Sequence, residues 1–239
     1  MTQTMMRRFS ARTHIGLIRP VNEDAIFAMP DLGLWAVADG MGGHGGGDFA
    51  SQSVVDALAA LPADPSPDTL PARLRAALGQ AHAEIQCEAA RRGKRTMGST
   101  VVVLVLAGAH FLCLWSGDSR LYRLRDGRLD QITQDHSVVA ALVSAGQLTQ
   151  EAAADHPQSN QITQAVGVGP VPGIEKRRGA VARGDRFLLC SDGLTRYASD
   201  KVLARVMRET PIATLADALL HIALDGGAAD NVSVIVVEV

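Results

Sequence analysis

Residues 34–43 read LWAVADGMGG. Five apolar residues between a glycine and an acid predict a short buried β-strand. In an ordinary hairpin the Asp-Gly turn leads into a second strand. Here Asp39-Gly40 leads into a glycine-rich run instead. The stretch therefore predicts a buried strand that brings a carboxylate, and a backbone free of side chains, to one rim of a sheet.

Similar apolar runs predict the other strands, at 100–106, 111–115, 187–190 and 232–237. Asp126-Gly127 predicts a hairpin turn between strands at 121–125 and 128–133, and Gly108 predicts a second turn. Apolar residues at helical spacing predict helices, at 48–61, 74–85, 202–207 and 215–223. Hairpins favour antiparallel sheets, and strands that are apolar on both faces favour two stacked sheets covered by helices.

The composition excludes several classes of partner. The chain has 239 residues, 47% of them hydrophobic, which suffices for a sizeable core. A net charge of −2 with scattered basic residues gives no footprint for nucleic acid. Arg7 and Arg8 are not followed by the apolar region of a secretory signal. The longest apolar stretch, 101–109, falls well short of the ~18–20 residues that span a bilayer, so we expect no membrane partner.

The cysteines predict a reducing compartment. Cys87, Cys113 and Cys190 are odd in number and widely spaced, and they form no CxxC zinc pattern. Two of them lie inside apolar runs, as buried reduced thiols do. The sequence therefore predicts a cytoplasmic protein.

Four aspartates lie where predicted strands begin or end. Asp39, Asp118 and Asp192 follow strands, whereas Asp230 precedes one. If the last strand runs antiparallel to the others, all four carboxylates reach the same rim. Their repulsion would raise their pKa values unless cations neutralise them, and oxygen ligands favour magnesium or manganese over zinc. Each aspartate alone also suits a turn, so the combination is what indicates a metal centre.

Three other residues are candidates for the same site, each with an alternative. Arg19 is either a surface cation or a guanidinium that binds two phosphate oxygens. The Gly40 carbonyl is a candidate metal ligand, since glycine lets the backbone approach an ion. His44 is a candidate proton donor to a leaving alkoxide, and it equally suits local packing.

Six motifs occur in a fixed order between residues 13 and 237: RPVNED (19–24), VADGMGGH (37–44), GDSRLY (117–122), TQDHS (133–137), LCSDGL (189–194) and DNVSV (230–234). Together they resemble the metal-dependent type 2C protein serine/threonine phosphatases, in their bacterial form. The resemblance implies an α+β fold, a four-layer α-β-β-α sandwich of two antiparallel sheets flanked by helices. It also implies hydrolysis of phosphoserine and phosphothreonine by metal-activated water at a dinuclear manganese or magnesium centre.

The resemblance further implies a role for each motif residue. Asp39 would bridge both ions and Gly40 would ligate through its carbonyl, while Asp192 and Asp230 would complete one coordination shell. Glu23 and Asp24 would hold metal-bound water. Arg19 would bind the substrate phosphate, so the catalytic set comprises Arg19, Asp39, Asp192 and Asp230. Asp118, with Asp192, resembles the third-metal site of the bacterial members.

The family also sets expectations for organisation and partners. Residues 1–239 would form a single catalytic domain with a flap at about 137–166. Its substrates would be phosphorylated proteins, and it would act as a monomer opposing a eukaryotic-like Ser/Thr kinase, with a forkhead-associated protein as a further candidate partner. Met41 stands where eukaryotic members have a histidine that acts as general acid, which leaves His44 as the candidate.

The alternative function is a non-catalytic phosphoprotein-binding or signalling module on the same fold. Such a module would lack a metal ligand, and none of the family's ligands is missing from this sequence.

Overall fold

The computed structural model describes residues 7–43, 45–62, 68–93, 96–149, 152 and 156–239. Its strands are β1 (Arg8–His14), β2 (Asp24–Met29), β3 (Leu34–Met41), β4 (Gly98–Ser99), β5 (Val101–Ala107), β6 (His110–Ser116), β7 (Arg120–Arg125), β8 (Arg128–Gln131), β9 (Glu175–Ala180), β10 (Arg186–Cys190) and β11 (Val232–Glu238). Its α-helices are α1 (Gly47–Ala59), α2 (Leu70–Arg91), α3 (Val138–Ser144), α4 (Asp192–Thr195), α5 (Asp200–Glu209) and α6 (Ile212–Asp225). A short 3-10 helix spans Pro30–Leu32.

The strands form two antiparallel sheets. One sheet has the order β1-β11-β10-β7-β8, and the other has the order β2-β3-β5-β6-β9 with the short β4 beside β3. β11 runs antiparallel to β10, which is the arrangement needed to bring Asp192 and Asp230 to the same rim. Hence the carboxyl end of β10 and the amino end of β11 meet at one edge of their sheet.

Three apolar layers hold the sandwich together. The first packs α1 and α2 against one face of the β3 sheet, with Leu34, Leu74 and Val103 fully buried. The second lies between the two sheets and contains Trp35 and Phe187. The third packs α5 and α6 against the β11 sheet. The predicted α-β-β-α sandwich is therefore confirmed.

Most predicted elements are present, with shifted ends. The predicted strand at 128–133 ends at Gln131, and the predicted helix at 74–85 extends over Leu70–Arg91. The turn at Asp126-Gly127 is confirmed, with Asp126 in the left-handed region at φ 50°. The sequence patterns did not predict β1, β2, β9, the two-residue β4 or the four-residue α4. In the part of the chain that the structure describes, no helix combines the length and apolarity that a bilayer crossing needs.

Candidate functional site

Two of the predicted acids face each other across the β2–β3 ladder. Asp24, the first residue of β2, is in register with Asp39 near the end of β3. The backbone of Asp39 is fixed by Thr100, whose Oγ1 accepts from the Asp39 N–H at 3.2 Å and whose N–H donates to the Asp39 carbonyl at 2.8 Å. The strand pairing thus holds two carboxylates side by side at the end of one sheet.

Gly40 lies in a space that no side chain could share. A Cβ at this position would stand 1.9 Å from the Gly47 carbonyl oxygen. The Gly40 N–H donates to the Glu23 carbonyl at 3.0 Å, and the Gly47 N–H donates to the Glu23 carboxylate at 3.1 Å. Glu23 therefore links the loop before β2 to the start of α1, directly beside the predicted ligands.

The second sheet contributes Asp192 and Asp230, and each is paired with an arginine. Asp192 is the first residue of α4, and Arg196 one turn later donates to its Oδ2 at 2.5 Å. Arg19 donates from Nη2 to Asp230 Oδ2 at 2.8 Å. Asp118 follows β6 and belongs to the same electrostatic group, since its charge raises the pKa of Asp39. All the predicted acids are brought to one site.

Burial and mutual repulsion perturb the acids strongly. Burial, together with the charges of Asp192 and Asp230, raises the pKa of Asp24 to about 7. Burial also raises the pKa of Asp118 to about 7, with Asp192 and Asp135 contributing. The pKa of Asp39 is raised too, first by burial and then by its four acidic neighbours. Within the part of the chain that the structure describes, none of these three acids forms a salt bridge, so the site favours cations.

Two residues that the sequence analysis did not assign hold the site together. Ser191 is fully buried, and its Oγ donates to Asp24 Oδ2 at 2.8 Å while accepting from the Ser233 N–H at 3.0 Å. Asn231 donates from Nδ2 to the carbonyls of Ile15 and Val21, and its Oδ1 accepts from the Glu23 N–H at 2.8 Å. Both residues stand inside quoted motifs, yet their partners are far away in the chain and no local pattern indicates them.

Arg196 was also missed, although a signal was present. It follows Asp192 by four residues, the spacing at which helical side chains of opposite charge meet. Its Nη2 also lies 3.8 Å from Asp230 Oδ2. Arg196 therefore partly neutralises both acids of the second sheet.

The donor set fits a hard divalent cation. All candidate ligands are carboxylate or carbonyl oxygens, which magnesium and manganese prefer. Asp24 Oδ1 and Asp192 Oδ1 are buried without a hydrogen-bond partner among the described residues. Within those same residues, no three His, Cys, Asp or Glu side chains already enclose a single point as ligands. Oδ2 of Asp192 is paired with Arg196, and Oδ2 of Asp230 is paired with Arg19.

A groove of about 880 Å³ opens beside the acids. Asp118 and Asp192 stand in its lining, together with Arg120 and Arg196. The groove is also lined by α3, through Val139, and by other residues of the predicted flap. Part of that flap, at 150–151 and 153–155, lies outside the described residues, and so does His44.

The chain is similar to known proteins over most of its length. The family model described as "Protein phosphatase 2C" matches residues 19–225. The serine/threonine protein phosphatase PstP of Mycobacterium tuberculosis is 41% identical over 240 residues, which cover 99% of this chain and 46% of PstP. The chain thus spans about half the length of this curated relative.

Two solved structures are similar over nearly their whole length. One is PppA, described as a key regulatory component of T6SS in Pseudomonas aeruginosa, with a TM-score of 0.90, 42% identity and 97% coverage of both chains. The other is the catalytic domain of the serine/threonine protein phosphatase PstP in complex with two manganese ions, with a TM-score of 0.86, 38% identity and 97% coverage of both chains.

Proposed function

Because the chain belongs to the protein phosphatase 2C family, we propose that it hydrolyses phosphoserine and phosphothreonine in proteins at a dinuclear Mn²⁺ or Mg²⁺ centre. One observation carries the proposal: buried and half-buried carboxylates from both sheets meet beside an arginine at one rim. Transfer of a phosphoryl group needs positive charge around the phosphoryl oxygens. The carboxylates can supply it by binding metal cations, and the arginine adds its own charge. The manganese-bound PstP domain supports the choice of metal.

The residues that would hold the ions are those of the acid cluster. Asp39 would bridge them, the Gly40 carbonyl would be a further ligand, and Asp192 and Asp230 would complete one shell. Glu23 and Asp24 would act through water. Asp118, with Asp192, would serve a third site. The Oδ1 atoms of Asp24 and Asp192, buried and without a hydrogen-bond partner among the described residues, support this assignment.

Bound ions of this kind polarise phosphoryl oxygens and lower the pKa of water. The chain's own residues would bind and orient the substrate. Arg19 holds Asp230 through a single nitrogen, so a phosphate arriving there replaces one anionic partner with another. Ser191 fixes Oδ2 of Asp24, while Oδ1 is buried with no hydrogen-bond partner among the described residues. Arg196 occupies Oδ2 of Asp192, so ligation by Asp192 would use its other oxygen, Oδ1, which has no hydrogen-bond partner among the described residues.

The finer assignments of partner and place belong to the same proposal. A eukaryotic-like Ser/Thr kinase would supply the phosphoproteins, and a forkhead-associated protein is a candidate substrate. Similarity to PppA supports a signalling role of this type. Residues 137–166 would form a flap over the groove of a single catalytic domain. The free thiols of Cys113 and Cys190 support a cytoplasmic location, because thiols stay reduced there.

The proposal is tested by turnover of matched phosphoserine, phosphothreonine and phosphotyrosine peptides, with Mn²⁺ and with chelator. We expect metal-dependent release of phosphate from the first two peptides and its loss in Asp39→Asn. Asp31→Asn, an exposed change at the far end of the β2–β3 hairpin, is the matched control. Undiminished turnover in chelator, or in Asp39→Asn, would refute the proposal. Phosphopeptide binding without turnover would favour the non-catalytic module instead.

A further inference from the structure

Exposed apolar side chains are concentrated in one loop. Among the described residues the large hydrophobic side chains with high exposure are Phe9, Leu17, Ile18, Val21 and Val171. Three of these five fall within residues 17–21, which we call the aliphatic loop. Leu17 is 60% exposed, Ile18 71% and Val21 48%. Isolated exposed hydrophobic residues are common on protein surfaces, whereas a cluster indicates a contact surface.

The aliphatic loop is fixed by its backbone. The Leu17 N–H donates to the Ala228 carbonyl at 2.8 Å. At either end of the loop, the carbonyls of Ile15 and Val21 accept from the same Asn231 amide at 2.8 and 3.0 Å. Gly16 has φ +81°, and a Cβ there would stand 2.2 Å from the Asp230 carbonyl oxygen. The loop therefore presents its aliphatic side chains from a pre-organised frame, which lowers the entropic cost of binding.

The aliphatic loop also carries the proposed phosphate ligand. Arg19 lies between Ile18 and Val21, with its Nη2 2.8 Å from Asp230 Oδ2. A phosphoresidue that reaches Arg19 must bring its neighbours in the substrate chain across this loop. An extended peptide advances about 3.3 Å per residue, so the first two or three flanking residues come within reach.

We propose that Leu17, Ile18 and Val21 form an apolar docking surface for aliphatic side chains that flank the phosphoresidue of a protein substrate. The inference rests on the proposed phosphatase function. A substrate suits this surface better than a second copy of the chain, because the substrate alone brings a phosphate to Arg19 and a polypeptide to the loop together. The loop contains no acidic residue, so the side chains it selects are apolar and not basic.

The test compares two phosphothreonine peptides that differ only at the two residues on each side, leucine in one and serine in the other. para-Nitrophenyl phosphate, which has no flanking residues, reports the chemistry alone. We expect the wild-type protein with Mn²⁺ to favour the leucine peptide about tenfold in kcat/KM, a difference of about 1.4 kcal/mol. In Leu17→Ser/Ile18→Ser the ratio of leucine-peptide to para-nitrophenyl phosphate kcat/KM should fall about tenfold.

Two further variants make the result decisive. Val171→Ser removes an equally exposed aliphatic residue outside the aliphatic loop and should leave that ratio unchanged. Ile18→Ser alone should lower the ratio about threefold. This single variant keeps the test usable if the double variant folds poorly. Equal turnover of the two peptides by the wild type, or an unchanged ratio in the loop variants, would overturn the proposal. The proposal would also be overturned if the wild type sediments as a dimer, the double variant sediments as a monomer, and the kcat/KM ratio is the same in both.

These outcomes separate the docking surface from the proposed function. If the wild type with Mn²⁺ hydrolyses no phosphorylated compound, the phosphatase proposal fails and the docking surface fails with it. If it hydrolyses both peptides equally well, only the docking surface fails.

Discussion

The metal-free protein should become more stable when Asp24 is replaced by asparagine. Asp24 is 8% exposed, and its Oδ1 has no hydrogen-bond partner among the described residues. Burial, with the charges of Asp192 and Asp230, raises its pKa from the ordinary 3.8 to about 7. Asparagine keeps the shape and removes the charge.

The sign and size follow from proton linkage. Between pH 3.8 and about 7 the folded state binds more protons at Asp24 than the unfolded state does. Stability therefore falls as pH rises through this window and is constant above it. Each pKa unit corresponds to 1.36 kcal/mol, so the raised pKa of Asp24 costs about 4 kcal/mol at pH 8 and less than about 1 kcal/mol at pH 4. Asp24→Asn removes that cost.

The assay is urea unfolding in chelator at pH 8 and pH 4, followed by circular dichroism. We expect Asp24→Asn to exceed the wild type in unfolding free energy by up to about 4 kcal/mol at pH 8, with the difference nearly gone at pH 4. Asp31→Asn, the exposed control, should stay within about 0.5 kcal/mol. A variant no more stable than the wild type at pH 8, or a gain that is the same at both pH values, would refute the electrostatic reasoning.

Three further changes probe the frame of the site, and a fourth, on α2, serves as a control. Asn231→Ala leaves two carbonyls and one N–H without their partner and should lower the urea-unfolding free energy by about 2–4 kcal/mol. Unaltered stability would contradict a stabilising role for these three hydrogen bonds, which together we call the Asn231 clamp. Gly193→Ala puts a Cβ 2.0 Å from a backbone oxygen and should destabilise by about 1–3 kcal/mol. Gly79→Ala, in open space on α2, should instead stabilise by about 0.5–1 kcal/mol, and the opposite order would count against the packing described. Arg196→Gln frees Asp192 and should tighten Mn²⁺ binding about two- to fivefold by calorimetry, while weaker binding would mean that Arg196 supports the site.

The sandwich was predictable because its central strands are apolar on both faces. Runs such as Val101–Ala107 can satisfy that pattern only between two covering layers. β9 was missed because it reads EKRRGA, which no hydrophobic pattern marks as a strand. It forms by pairing with β6 at the edge of the sheet, where tertiary context overrides propensity and charged residues protect the edge.

The candidate site likewise has features that the sequence predicts and features that only the packed fold produces. The positions of Asp39, Asp192 and Asp230 followed from strand ends, since strand order decides what reaches a rim. The contact between Ser191 and Asp24 joins residues 167 positions apart and depends on the two sheets lying face to face. The Asn231 hydrogen bonds likewise form only once the loop between Ile15 and Val21 has folded. Such contacts are properties of the packed fold, and no local spacing encodes them.

The number of Mn²⁺ ions that each chain binds tests the central claim most directly. Metal-stripped wild type, Asp39→Asn and Asp31→Asn would be titrated with Mn²⁺ by isothermal calorimetry at neutral pH. We predict at least two ions per chain for the wild type and for Asp31→Asn, and fewer than two for Asp39→Asn, which lacks the bridging carboxylate. Absence of Mn²⁺ binding by the wild type, or an unchanged number of ions in Asp39→Asn, would contradict a metal centre built from these acids.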